Sequence, residues 1–207
     1  MNKSITPQNS NLKSVTRYLD QLHENYSKLL ILRIDLGYAK EHGRSLELPA
    51  IKRDAKHFLD NRRANHSLFG HQVGYIFKFE NTAEKGPHIH ALLAYDGQKV
   101  TKDAYLSDRI GKYWSETITG GKGVYHSCNR QKIRYEQCGI GMIDHSDSDK
   151  RKNLTEKVIP YLLKSEQSIQ GIKVGKERSV TKGIAPPRTP KVGRPRNNTP
   201  RLASPGA

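Results

Sequence analysis

Two histidines one residue apart, His88-Ile89-His90, form the pattern in this chain most suggestive of chemistry. Side chains on a β-strand alternate faces, so positions i and i+2 project together while the residue between them turns away. Two imidazoles about 7 Å apart along one strand face can hold a single metal ion if a third ligand arrives from a neighbouring strand. Two acids compete for that place. Glu80 ends the strand-like run before the histidines, and a hairpin would fold it back beside His88; Asp35 stands on an earlier strand-like run. A mixed nitrogen and oxygen donor set suits one divalent ion, Mg²⁺ or Mn²⁺, acting on phosphate, although imidazoles also accept Zn²⁺ or Co²⁺.

The second pattern is Tyr161-Leu162-Leu163-Lys164. At about 100° per residue, Leu154, Val158, Ile159, Leu162 and Leu163 form one apolar arc of a helix, with Tyr161 at its edge and Lys157 and Lys164 on the polar flank. A phenol with a solution pKa near 10 is a poor nucleophile at neutral pH. Neighbouring cations and a metal-bound phosphate lower the cost of its oxyanion, as covalent catalysis by tyrosine requires. Of the ten tyrosines only Tyr75 and Tyr161 have a lysine three residues on, and Tyr75 lies on a strand-like run where those two positions face opposite ways. Pro160 sits inside the expected helix and removes the hydrogen bond to the Glu156 carbonyl. It predicts a kink that either aims the phenol or displaces it.

The elements that must position these groups are legible as periodicities. Leu12, Val15, Leu19 and Leu22 predict an amphipathic helix over 11–24, after a polar and frayed stretch 1–10. The run KLLILRIDL, 28–36, predicts a buried strand, and Pro49 opens a helix to about residue 65. Residues 73–80 and 88–95 predict a hairpin joined by NTAEKGP, 81–87. A helix follows over 103–118 with the single Trp114, then strands near 123–128 and 138–143, and a helix over about 150–168. The expected fold is α+β: one domain over 11–170, with a central antiparallel sheet of about five strands flanked by helices.

Composition limits the partners. The 207 residues carry a net charge of +16, a pI near 9.9 and a mean hydropathy of −0.78, which predicts a polyanionic partner. No apolar run approaches the roughly 18 residues of a membrane span, and the N-terminus lacks a signal-peptide core, so nucleic acid in the cytoplasm is the expectation and a membrane is not. With only Cys128 and Cys138, buried free thiols are expected rather than disulfides or a zinc site. From 171 to 207 nine Lys/Arg face the single acid Glu177, without aromatics, which predicts a disordered basic arm. Within it Arg194 and Arg196, in KVGRPR, are candidate DNA contacts, as is Lys157; the Gly-Arg-Pro core resembles minor-groove hook peptides, but phosphate attraction is the simpler account.

His-hydrophobe-His on a strand followed by Tyr-x-x-Lys on a helix resembles the rolling-circle replication initiators. More closely, GPHIHALLAYDG (86–97), IGKYWSETITGGKGVYHSCN (110–129), YEQCGIGMID (135–144) and KRKNLTEKVIPYLLKSEQ (150–167) resemble the inovirus gene-two-type and YagK/YfjJ C-terminal domain families. The resemblance implies a His-hydrophobe-His endonuclease-like domain with metal ligands His88, His90 and Glu80, nucleophile Tyr161, and Lys164 at the scissile phosphate. It implies nicking and joining of single-stranded or hairpin origin DNA through a 5′-phosphotyrosine, initiating rolling-circle replication of a phage, prophage or plasmid-like element with the machinery of a bacterial host. Competing readings are a non-catalytic DNA-binding regulator on the same fold and a single-tyrosine transposase.

Overall fold

A computed structural model describes residues 7–43, 45–164 and 178–187. Its centre is β1 (Lys28–Tyr38), whose KLLILRIDLGY sequence is buried on both faces except at Lys28, Arg33 and Asp35. A continuous apolar strand is what a sheet covered by helices on both sides demands. Around it stand β2 (Gln72–Thr82), β3 (Gly86–Asp96), β4 (Gly123–Ser127), β5 (Gly141–Asp144) and β6 (Val180–Lys182). The order is β4-β1-β3-β2-β6 with every pairing antiparallel, and β5 shares with β4 the same edge of β1.

The sheet carries six strands rather than about five, and the extra one corrects the reading of 171–207 as an arm without structure. Val180–Lys182 pairs with Ile76–Lys78, and Phe79 N–H donates to the Ser179 carbonyl at 2.8 Å. Main-chain bonds to the open edge of β2 hold this strand, with little apolar side-chain burial, so composition could not reveal it. Residues 165–177 and 188–207, including Arg194 and Arg196, lie outside the described residues.

Each face of the sheet has its own helical cover. Helix α1 (Pro7–Asn25) lays Val15, Tyr18, Leu19 and Leu22 on Leu29, Ile31, Ile76, Leu92 and Ala94. It begins at Pro7, inside the stretch expected to fray, because proline is suited to a first helical turn. On the other face, beyond the short α2 (Lys40–Gly43), α3 (Leu48–Asp60) contributes Leu48, Ile51 and Phe58. One turn, α4 (His66–Phe69), precedes β2, and α5 (Asp103–Tyr113) continues as a π-helical turn Trp114–Ile118. Trp114 is fully buried and its Nε1–H donates to the Gly37 carbonyl at 2.8 Å, fixing the end of β1.

The last helical stretch runs α6 (Ser148–Asn153), a π turn Leu154–Val158, then α7 (Ile159–Leu162). It ends at Leu162, short of the expected 168, and buries Leu154, Ile159, Leu162 and Leu163 on the α1 side of the sheet. The hairpin is tighter than expected: the strands stay paired to Thr82↔Gly86, leaving three residues in the turn instead of the 81–87 segment. Gly86 has φ +68°, and a Cβ there would lie 2.4 Å from the Gly43 carbonyl oxygen, so only glycine closes this hairpin against α2. Cys138 and Ile140 precede β5 rather than opening it, and Cys128–Arg134 is a 3-10 turn. Both cysteines are free, Cys128 buried and Cys138 half-buried.

Candidate metal centre

The register of the hairpin assembles the site. Glu80 is the direct cross-strand partner of His88, and His90 lies one same-face position further along β3. On the other side of β3, Asp35 of β1 is the direct partner of His90, and His126 of β4 is the partner of Asp35. Alternation therefore places Glu80, His88, His90, Asp35 and His126 on one face, the face covered further back by α1 and α7.

Ring orientation then distinguishes the two acids. His90 Nδ1 lies 2.6 Å from Asp35 Oδ1, while its Nε2 lies 3.2 Å from Glu80 Oε2. His88 Nδ1 lies 3.0 Å from the Gly86 carbonyl, which can only accept, so that nitrogen carries the proton and Nε2 turns to Glu80 at 3.5 Å. Both Nε2 atoms thus converge on the Glu80 carboxylate, and ligand atoms of Glu80, His88 and His90 all lie within 4.8 Å of one another. Asp35 grips the back of the His90 ring. It lies behind that ring, outside the group of atoms that Glu80, His88 and His90 bring together.

The charges fit a cation. Burial alone would raise the Glu80 carboxyl, but its interactions with His88 and His90 outweigh it and hold Glu80 down at about 2. Burial would lower His90, yet its bonds to Asp35 and Glu80 raise it to about 9. Burial likewise opposes ionisation of Asp35, and the His90 bond overcomes it, so Asp35 sits below the usual carboxylate range. Two ionised acids thus bracket one imidazole, and the proton His90 holds toward Glu80 stands where a metal ion would bind. Two imidazole nitrogens and one carboxylate on one side, with an open hollow on the other, is a donor set for a divalent ion.

That hollow, of about 460 Å³, is lined by His88, His90, Asp35, Tyr125 and His126. A second one of about 720 Å³ is lined by Arg33, Asp35, His126, Arg134, Lys157 and Tyr161. Asp35 and His126 line both, so the two meet at that pair. Tyr161 is 57% exposed, with the Arg33 guanidinium carbon 5.0 Å and the Lys164 ammonium 5.4 Å from its ring centre. The π turn directly before α7 absorbs Pro160: the wider turn changes the hydrogen-bond pattern where proline donates none, and the helix resumes. Tyr161, Lys157 and Lys164 are therefore brought to the same side of the sheet as Glu80, His88 and His90.

Arg33 and Arg134 have no place in the expectations drawn from sequence, and His126 enters them only as a possible zinc partner of Cys128 and Cys138 that the missing CxxC spacing argues against. Arg33 had a signal, since it and Asp35 are the two polar residues at i and i+2 in an otherwise apolar strand. Arg134 depends on a 3-10 turn and carried none, and the place of His126 beside Asp35 depends on strand order.

The family model described as YagK/YfjJ C-terminal domain matches residues 1–170, further upstream than the motif segments alone suggest. No curated protein and no solved structure matches the chain.

Proposed function

The chain belongs to the YagK/YfjJ C-terminal domain family, and from that premise we propose that it nicks and rejoins single-stranded DNA by tyrosine transesterification. One observation carries this reading: His88 and His90, which share the Glu80 carboxylate, line one hollow and Tyr161 lines another, and the two hollows meet at Asp35 and His126. A divalent ion, Mg²⁺ or Mn²⁺, held by His88, His90 and Glu80 would polarise the scissile phosphate as a Lewis acid.

Asp35 holds the His90 ring in register for that role, and Glu80 balances cation charge that neutral imidazoles cannot. The Tyr161 oxygen attacks phosphorus, and the bond to the 3′-oxygen breaks. The phenol proton leaves to solvent, the 3′-oxygen takes one up as 3′-OH, and the 5′-phosphate stays on Tyr161. Arg33, Lys157 and Lys164 surround that position with positive charge and offset the charge growing on the phosphate oxygens. Attack by the 3′-OH on the phosphotyrosine reverses the step and joins strands, the chemistry needed to start and close a round of rolling-circle replication at a single-stranded or hairpin origin. Handover to host replication proteins would follow from the free 3′-OH.

Incubation with labelled single-stranded DNA and Mn²⁺ tests the proposal. It expects a denaturation-resistant protein–DNA adduct whose labelled peptide contains Tyr161. An adduct on Tyr125 or Tyr135, or none with DNA still bound, would replace the nuclease with another nucleophile or with a binding protein.

A further inference from the structure

On the opposite face of the sheet, between α3 and the β2–β6 edge, lies a groove of about 700 Å³ that shares no lining residue with the metal and tyrosine hollows. Its walls carry Lys52, Lys56, Arg62, Arg63 and Arg178, against Asp60 as the one acid lining it among the described residues. Asp60 is itself paired with Lys56. Arg178 comes from the segment that leads into β6, so the short edge strand completes this wall.

The floor decides what such a groove can bind. Tyr75 and Phe79 supply two rings, but the Arg62 guanidinium lies 4.8 Å over the first and the Lys52 ammonium 5.9 Å over the second. Phe79 is also buried in the core. Both rings are thus already covered by cations, and neither offers a free face for a base to stack upon. What the groove presents is positive charge along a line. From Lys52 to Arg63 the helical rise amounts to roughly 16 Å, room for several phosphates of one strand at about 3.4 Å of duplex axis each and fewer for an extended strand. One end of that line adjoins Phe79, the chain neighbour of Glu80, which turns to the other side of the sheet.

We propose that this groove is a second nucleic-acid site, which grips the phosphodiester backbone of DNA flanking the cut without reading its sequence. It rests on the nuclease reading only for the identity of the polyanion.

The test is binding of a mixed-sequence single-stranded oligonucleotide of about 30 nucleotides, followed by fluorescence anisotropy in EDTA across a salt series. The full chain is compared with the combined variant Lys56→Gln, Arg63→Gln, Arg178→Gln, whose three side chains are exposed. A control of equal charge, Lys13→Gln, Lys99→Gln, Lys112→Gln, removes exposed cations elsewhere. The groove variant should bind at least about tenfold more weakly near 0.1 M salt, with a log–log salt slope reduced by roughly 2, at about 0.7 per lost single-strand phosphate contact. Oligothymidylate should lose as much as mixed sequence, and the control variant should lose clearly less. Equal losses in the two variants, a loss confined to one sequence, or a groove variant indistinguishable from the parent would overturn the site. Because metal is absent, the result stands apart from cleavage: a parent protein that binds through this groove but forms no tyrosine adduct sinks the nuclease and keeps the groove.

Discussion

One face of one sheet has two halves with opposite chemistry. Toward the rear, Leu29, Ile31, Ile76, Leu92 and Ala94 lie beneath α1 and α7 and are fully buried. Toward the front, the same strands at the same parity offer Arg33, Asp35, Lys78, Glu80, His88 and His90. Backbone geometry does not change between the halves. What changes is the cover: the helices meet the rear, whereas hollows open over the front. Apolar transfer stabilises the rear, while paired charges and hydrogen bonds make burial tolerable at the front. The division teaches that stability and chemistry are separated along each strand, so mutations in the two halves should fail in different ways.

The largest effect belongs to Tyr161→Phe. It removes a hydroxyl from a mostly exposed ring, so folding and DNA affinity should persist while the rate of nicking falls by a factor on the order of 10⁴ or more. Rates with and without Mn²⁺ measure this, and substantial residual adduct would move the nucleophile. Next comes His90→Ala, which should weaken Mn²⁺ binding by more than the roughly 10–100-fold typical of an outer-shell change, and should also lower the metal-free thermal midpoint, because Glu80 and Asp35 lose the partner that makes their burial tolerable. Calorimetric titration decides it, and unchanged Mn²⁺ affinity would refute the Glu80-His88-His90 centre.

Leu92→Ala probes the rear half two residues further along the same strand. It should cost about 2–5 kcal/mol of stability through lost burial and a residual cavity, and leave Mn²⁺ affinity of the folded fraction intact. Denaturant unfolding with and without Mn²⁺ separates the two effects. A variant that lost metal affinity at full stability would show that the halves are not independent.

The front half was legible wherever strand parity and a local hairpin suffice. His88, His90 and Glu80 needed only alternation and a turn, and neither longer strands nor a shorter loop altered their pairing. The role of Asp35 was not legible, because it depends on β1 lying beside β3, an arrangement no local pattern encodes. The helix bearing Tyr161 was recognised from its apolar arc, but its bounds were not: Pro160 comes just after a π turn that no periodicity announces. The strand at 180–182 was invisible for a different reason: its stability resides in backbone bonds to β2. Local periodicity thus reveals an element's faces, and only the sheet's order reveals its neighbours.

Asp35→Asn sharpens the comparison inside the front half. The amide keeps the shape but loses the charge that fixes the His90 ring, so Mn²⁺ affinity should drop about 10–100-fold. Glu80→Gln should drop it further, since a ligand oxygen loses its charge. The reverse ranking in parallel calorimetric titrations would exchange the roles of the two acids.

The smallest effect is the front half's own share of the pH dependence. Without metal, His90 titrates at about 9, above its usual 6.5, because Asp35 and Glu80 stabilise its proton despite burial. A raised folded value means that this contribution is complete below pH 6.5 and is lost as pH rises toward 9. Glu80 titrates at about 2, below its usual 4.5, so its contribution is complete above pH 4.5 and is lost as pH falls toward 2. The two are partners in one cluster, so their joint contribution is best taken as on the order of 1 kcal/mol. In EDTA the cluster's own contribution, read as the difference in thermal midpoint between the parent and His90→Gln, should therefore be largest between about pH 4.5 and 6.5 and shrink on both sides; buried His23, lowered to about 4, adds a separate decline below pH 6.5 that both proteins share. Mn²⁺ should change the alkaline limb alone. Binding at Nε2 displaces the His90 proton, so the ion binds more tightly as that proton leaves, and the decline toward pH 9 should flatten or reverse. His90→Gln should abolish both the alkaline decline and its response to Mn²⁺ while sparing the rear-half core. A metal-free midpoint that rose steadily from pH 6.5 to 9 would mean that His90 is neutral in the folded protein, and that the acids on either side of it do not hold its proton.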